Sequence, residues 1–367
     1  MQYRPIATWK AALLPLPWIP RLRAPPLGLA LQGGGAHGAF TWGVLDALLE
    51  DGRFPIAAIS GTSAGAMNAI ALAQGLMEGG RDGGHEAARE GARASLQRFW
   101  SAVGQRVPYD WFTVGQPERP GLAPAARLFM HWAKSLSPYQ LNPLGVNPLR
   151  DVLLGQIDFE RLRAHCPIRL FIAATHANSG RLRLFGNTEL SVDALLASAC
   201  LPTMSQAVVI DGEPYWDGGY SANPALFPLV RSGVPDLLIV SLNPLNYDAA
   251  PVTAEAIRAR ALEFAFNAGF LREAVLLAES CTEARRSLWS FGAAQRRLRR
   301  LRTHLIDADE HLADLSGETR LIAHLPFLEH LRDRGRARAQ QWLQTHGAQV
   351  GRESSADLQQ LFAAPSA

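Results

Sequence analysis

The stretch Leu27–Met77, LGLALQGGGAHGAFTWGVLDALLEDGRFPIAAISGTSAGAMNAIALAQGLM, decides the fold. Its pattern predicts strand, glycine turn, helix, strand, a second tight turn and a helix of small residues. Both turns fall where the carboxyl end of a strand meets a helix, the edge at which open α/β sheets place their chemistry. The second turn, Gly61-Thr62-Ser63-Ala64-Gly65, is G-x-S-x-G in the strand-to-helix setting of a nucleophile elbow. So tight a turn leaves no room for β-carbons at Gly61 and Gly65, and it holds the Ser63 hydroxyl up at its tip. The first turn, Gly33-Gly34-Gly35-Ala36-His37-Gly38, can aim backbone N–H groups at one point. Ahead of a helix it suits an anion, either a phosphate or the oxyanion of acyl transfer. Alone, it also matches the dinucleotide pattern G-x-G-x-x-G. The serine elbow one βαβ unit later argues against a nucleotide, as does the uncharged Ile59-Ser60 where an acid would close the second strand.

Far downstream lies Asp217-Gly218-Gly219. The aspartate closes a hairpin strand, and the two glycines let the backbone bend tightly enough to bring a carboxylate to another loop. The plain alternative is an aspartate that caps its own turn, the role assigned to Asp211 in Asp211-Gly212. Taken in order, Gly33 to Gly38, Gly61 to Gly65 and Asp217 to Gly219 resemble the three signatures of the patatin-like phospholipases. Members of that family are serine acyl hydrolases with a Ser–Asp dyad, and the similarity covers roughly Leu27 to Pro244. The resemblance implies a three-layer α/β/α fold with a mostly parallel sheet. It makes Ser63 the nucleophile and Asp217 the general base, with an oxyanion hole at Gly33, Gly34 and Gly35. His37, Gly38, Gly218 and Gly219 then shape the site. One departure is His37, where many members carry Arg or Lys; it reads as a polar side chain beside the mouth.

A histidine-based triad has less support. An α/β-hydrolase would order its residues Ser, Asp, His, and only one strand precedes the elbow here. His304, His311, His324 and His330 lie in charged downstream sequence and read as solvated surface residues. A carboxylate of ordinary pKa ~4 is a weak base for serine, so the dyad requires a dry site. No cofactor or metal is called for.

Composition sets the remaining bounds. A net charge of +3 over 367 residues argues against nucleic acid, and 48% hydrophobic residues suit a globular chain. Cys166, Cys200 and Cys281 are odd in number and far apart, which implies neither a disulfide framework nor a metal knuckle. The first residues make a poor signal peptide. The uncharged run Ala57–Met77 reads as a buried strand, elbow and helix and not as a membrane span. The expected location is cytoplasmic, with peripheral contact to a membrane surface.

The chain divides into an irregular, proline-rich arm (1–26), a catalytic domain (27–245) and a helical C-terminal extension (246–367). Within the domain, residues 78–84 read as a loop and 99–148 as a lid-like insertion. Trp100, Tyr109, Trp111, Phe112, Phe129, Trp132 and Tyr139 stand among prolines there, which suits a lipid-facing mouth as well as it suits a core under a long loop. Strands are expected at Ile168–Ala174, Arg181–Phe185, Ala207–Ile210, Pro214–Trp216 and, last, Leu237–Leu242. Helices follow at about Ala254–Glu279, Thr282–Arg302 and Leu328–Gln344. The function expected is hydrolysis of a phospholipid or lysophospholipid ester. The alternatives are a soluble carboxylesterase of the same mechanism and a non-catalytic regulator on the same fold.

Overall fold

The computed structural model describes residues 25–105, 113–116, 118–133, 135–245, 247, 249–287, 292–312 and 315–362. Most of the N-terminal arm, with Tyr109, Trp111 and Phe112 of the insertion, lies outside the described residues. The opening unit is β1 (Leu27–Leu31), α1 (Gly38–Asp51), β2 (Ile56–Thr62) and α2 (Ala64–Gln105). The insertion supplies β3 (Thr113–Gln116), β4 (Arg119–Leu122), α3 (Pro124–Ala133) and α4 (Pro138–Leu141). Then come α5 (Pro148–Gln156), α6 (Phe159–His165), β5 (Arg169–His176), β6 (Leu182–Gly186), α7 (Val192–Ser198), β7 (Val208–Ile210) and β8 (Glu213–Asp217). The rest is α8 (Phe227–Ser232), β9 (Asp236–Ser241), α9 (Ala254–Arg286), α10 (Ala293–Arg300), β10 (Arg302–Asp307), α11 (Asp309–Leu312), α12 (Leu325–Thr345) and α13 (Leu358–Phe362).

The main sheet runs β10-β9-β1-β2-β5-β8-β7, with β6 also paired to β5. Its pairings from β10 to β5 are parallel, and those of β6, β7 and β8 are antiparallel. β1 and β9 are buried along their whole length, as expected of strands covered by helices on both faces.

Register brings the site together. β2 pairs with β5 as far as Thr62 opposite Ala173, and the next residue of β5, Ala174, pairs with Asp217 of β8. Because β6 holds the other edge of β5 at both residues, β8 takes over the edge that β2 has just left. Ser63, the first residue past β2, therefore arrives beside Asp217, which is 154 positions later in the chain (217 − 63).

Two expectations are corrected. Residues 78–83 are helical, and α2 reverses at Gly84, which takes φ +73°. The glycines read as a loop let its two arms touch. A β-carbon on Gly75 would meet the Gly91 carbonyl, and one on Gly79 the Ala87 carbonyl. The segment expected to be helical up to Arg302 instead breaks at Leu301 and enters the sheet as β10, beyond β9. The extension is thus helical apart from one edge strand, and it packs on the domain body. Backbones of α1 and α12 approach at Gly43 and Gly335, where β-carbons would strike the carbonyls of Arg332 and Phe40. Arg93 of α2 and Arg336 of α12 both pair with Asp46 and Glu50 of α1.

Among the described residues no helix is long and apolar enough to cross a membrane, and Ala57–Met77 forms most of β2 and the start of α2.

Candidate active site

Ser63 takes φ +53°, one of two non-glycine residues with positive φ among those described, the other being the turn residue Asp211. For an L residue this left-handed conformation is strained, and strain of this kind gathers at functional positions. The flanking glycines make the turn possible: a β-carbon on Gly61 would lie 2.6 Å from the Gly65 carbonyl, and one on Gly65 would run into the Leu31 carbonyl. Below the tip, the Ser63 N–H donates to Ser198 Oγ at 3.0 Å, at the end of α7. Thr62 Oγ1 donates to the Ala222 carbonyl at 2.7 Å, tying the elbow to the segment that follows Asp217.

Asp217 is 1% exposed. Its N–H donates to the Cys200 carbonyl, its carbonyl accepts from Thr175 Oγ1, and its Oδ1 accepts the Gly219 N–H, each at 2.8 Å. Burial pushes its carboxyl up to about 7, against the lowering effects of the Gly219 N–H and the Ser63 hydroxyl, which lies in hydrogen-bonding reach of the carboxylate. Gly218 is required because a β-carbon would strike the Ala173 carbonyl; Gly219 is required because the Phe266 ring occupies that space.

The glycine loop crosses directly over the elbow. A β-carbon on Gly33 would sit 2.7 Å from Ser63 Cβ, and one on Gly34 3.0 Å from the Leu242 side chain. Gly35 takes φ +58° against the Arg320 carbonyl, and Gly38 starts α1 against Ala64, so the amino ends of α1 and α2 converge at the site. The Gly33 N–H is already engaged, donating to Asn223 Oδ1 at 2.7 Å. Of the three expected oxyanion donors, the Gly33 N–H therefore has a protein partner in this structure.

His37 is buried, at 3% exposed, with Nε2 2.7 Å from Thr319 Oγ1 and its ring in a T-shaped contact with Phe327. Burial, aided by the charge of Arg320, holds its pKa down to about 3, so it is neutral and cannot serve as a head-group cation.

The expectation for His304 is corrected. It is fully buried on β10, bonded through Nε2 to Asp236 Oδ1 at 3.1 Å and through Nδ1 to Ser355 Oγ at 2.8 Å. This serine–histidine–aspartate chain sits at the amino edge of the sheet, where Asp236 opens β9, opposite the edge at which Ser63 leaves β2. The N–H groups of Ser355 and Ala356 are spent on the Thr303 carbonyl, and Asp236 is held by Arg302 through two bonds of 2.8 and 2.7 Å. The arrangement locks the C-terminal segment to the sheet.

Two polar residues of the site, Ser198 and Gln32, have no counterpart in the sequence reading. Gln32 is fully buried, and its Oε1 accepts the N–H groups of Leu242 and Asn243 at 2.8 and 3.1 Å, fixing the end of β9 beside the glycine loop. The available signal was a lone amide directly after an apolar strand, a side chain that burial obliges to find partners.

The insertion divides. Phe99 and Trp100 are core residues, Trp100 donating to Asn68 Oδ1 at 2.9 Å, which settles the core reading for these two. Phe129, Trp132 and Tyr139 are each more than half exposed.

A mostly parallel sheet covered by helices, with its polar turns gathered at one carboxyl edge, defines an α/β protein of the expected kind. The sequence profile of the patatin-like phospholipases matches residues 29–230, over half of the chain, and the chain belongs to that family. Its activity class is accordingly that of a lipid acyl hydrolase. Among solved structures it is similar to VipD from Legionella pneumophila, at 15% identity over 88% of this chain and 67% of that one, with a TM-score of 0.37. It is also similar to ExoU from the type III secretion system of Pseudomonas aeruginosa, solved with SpcU, at 17% identity over 87% and 78% of the two chains, with a TM-score of 0.26. No curated protein matches the chain.

Proposed function

We propose that the protein hydrolyses carboxylic esters of phospholipids or lysophospholipids through an acyl-enzyme on Ser63, with Asp217 as general base. The observation that carries this reading is the strand register that sets Ser63 beside a buried carboxylate whose pKa lies near 7. A base with that pKa is matched to work at neutral pH.

Ser63 Oγ attacks the ester carbonyl carbon as its proton passes to Asp217. The tetrahedral intermediate collapses with cleavage of the acyl C–O bond, and Asp217 returns the proton to the departing alcohol oxygen. Water then attacks the acyl-enzyme, giving a proton to Asp217. Collapse of the second intermediate restores the Ser63 hydroxyl with that proton and releases the fatty acid. The N–H groups of Gly34 and Gly35 serve the oxyanion, each such donor being worth about 10²–10³ in rate. The amino end of α2, which opens at Ala64, adds its dipole to the same charge.

The outer face of α3, with Leu128, Phe129 and Trp132 exposed, supports a peripheral contact with lipid. Arg127 of that helix pairs with Glu318 at 3.2 Å, in the turn that abuts the glycine loop, which puts this apolar face near the site. Incubation with mixed lipid extracts, followed by identification of the released acyl chains, tests substrate class directly. Fatty acid release by wild type but not by Ser63→Ala or Asp217→Asn is expected, in the presence of EDTA as in its absence. Hydrolysis of soluble esters alone would replace the lipid reading with a carboxylesterase.

A further inference from the structure

The family profile ends at residue 230, yet two later elements press directly on the site. On one side, the Phe266 ring of α9 fills the space over Gly219, whose N–H is bonded to the Asp217 carboxylate. The same ring lies 4.4 Å from that of Tyr220, and one turn later Gly269 lets the helix backbone settle on the Ser221 carbonyl. Asn267, beside Phe266, accepts from Gln32 Nε2 at 3.3 Å. On the other side stands the 3-10 turn Gly317–Leu321. Its Thr319 hydroxyl donates its single hydrogen to the Ser316 carbonyl at 2.7 Å, so it must accept from His37 Nε2–H at 2.7 Å. That fixes the imidazole tautomer, and the Arg320 carbonyl packs so closely on left-handed Gly35 that no β-carbon fits there.

We infer that the C-terminal segment is the second half of the active site: Phe266 is a positioning residue that keeps water from Asp217, and Thr319 positions the oxyanion loop through His37. The inference rests on the Ser63–Asp217 reading. The titratable groups facing Asp217 are the Ser63 hydroxyl, the Cys200 thiol, which burial raises to about 11, and the Tyr220 phenol, which burial and the Asp217 charge raise. All stay neutral while Asp217 titrates. Exclusion of water is therefore the lever on its basicity, and the ring that packs over Gly219 supplies it.

The test measures kcat and KM for a short soluble ester from pH 5 to 9, with thermal unfolding recorded for each variant. Phe266→Ala should move the acid limb of kcat/KM down by about one pH unit and lower kcat, because a wetter carboxylate is a weaker base. Phe266→Leu should shift it the same way by less, which keeps the test open should the alanine variant unfold. Thr319→Val should lower kcat roughly 10–100-fold with KM nearly unchanged and the acid limb in place, the size of effect of a misplaced oxyanion donor. Thr319→Ser, which keeps the hydroxyl, should restore the rate. An unmoved acid limb in both Phe266 variants, or wild-type kcat in a folded Thr319→Val, overturns the inference while Ser63→Ala and Asp217→Asn stay inactive. Turnover by either of those two controls overturns the underlying dyad as well.

Discussion

Asn223 Oδ1 accepts the backbone N–H of Gly33 at 2.7 Å, joining the glycine loop to a segment 190 residues later. Both groups are buried, and the bond sets the loop's position above Ser63. Asn223→Ala should leave the Gly33 N–H without its partner, costing about 1–3 kcal/mol of stability. Turnover should fall roughly tenfold or more through movement of the loop. Denaturant unfolding and ester hydrolysis check the two effects; a stable variant with full turnover would show that the loop holds itself.

With Asp217 near pH 7, log(kcat/KM) should fall by one unit per pH unit below about 7. The same shift sets a stability effect. A raised carboxyl pKa favours the folded state fully below the unfolded value of about 4, and that stability is lost as pH rises through 7. Asp217→Asn should therefore be more stable than wild type at pH 8, by on the order of 2 kcal/mol, with the difference shrinking toward pH 4. Calorimetry at the two pH values checks it, and an equal difference at both would rule out the buried charge as its cause.

Replacement of Ser63 should separate strain from chemistry. Both Ser63→Ala and Ser63→Gly should fail to react with a fluorophosphonate probe. Only glycine relieves the backbone at φ +53°, so Ser63→Gly should be more stable than Ser63→Ala by about 1 kcal/mol. Equal stability would mean that the elbow is not strained.

At the opposite edge of the sheet, burial would raise the Asp236 carboxyl, but bonds from Arg302, His304 and the Gly351 N–H outweigh it and bring it down to about 2. This depressed carboxylate contributes stability above the unfolded value of about 4, and loses it as pH falls toward 2. Asp236→Ala should cost about 3 kcal/mol, the penalty for stranding buried partners. Acid unfolding and esterase assays should show an early acid transition and, in the folded variant at pH 8, retained chemistry. Loss of probe labelling at Ser63 in that folded variant would make the His304 chain part of catalysis.

Phe129→Ser with Trp132→Ser should weaken binding to phospholipid vesicles and spare hydrolysis of a soluble ester, because both rings are exposed. Co-sedimentation measures the first and a chromogenic ester the second. Unchanged vesicle binding would place lipid contact on another surface.

Most of the sheet was legible because local signals agreed. β5 to β9 follow apolar runs bounded by turn residues, and α9 and α12 follow helical periodicity. The exceptions have physical causes. Gly79 and Gly80 read as part of a loop, but Gly79 serves close packing between the arms of α2, a contact invisible without the partner. His304 reads as solvated, but β10 buries it beside Asp236 of the neighbouring strand, which accepts its hydrogen. The burial of His37 is illegible for the same reason: its partner, Thr319, is 282 residues away.

By itself the sequence determined the elbow, the glycine turn, the Asp-Gly-Gly turn and the family they signal, because each is a short-range pattern that backbone sterics impose on neighbouring residues. Only the tertiary structure decided that Asp217 is dry, that Gly33 has spent its N–H and that residues beyond 250 wall the site. Burial and hydrogen-bond satisfaction depend on what packs from elsewhere in the chain, and here the deciding partners, Asn223, Phe266 and Thr319, arrive from distant segments through strand register and helix packing.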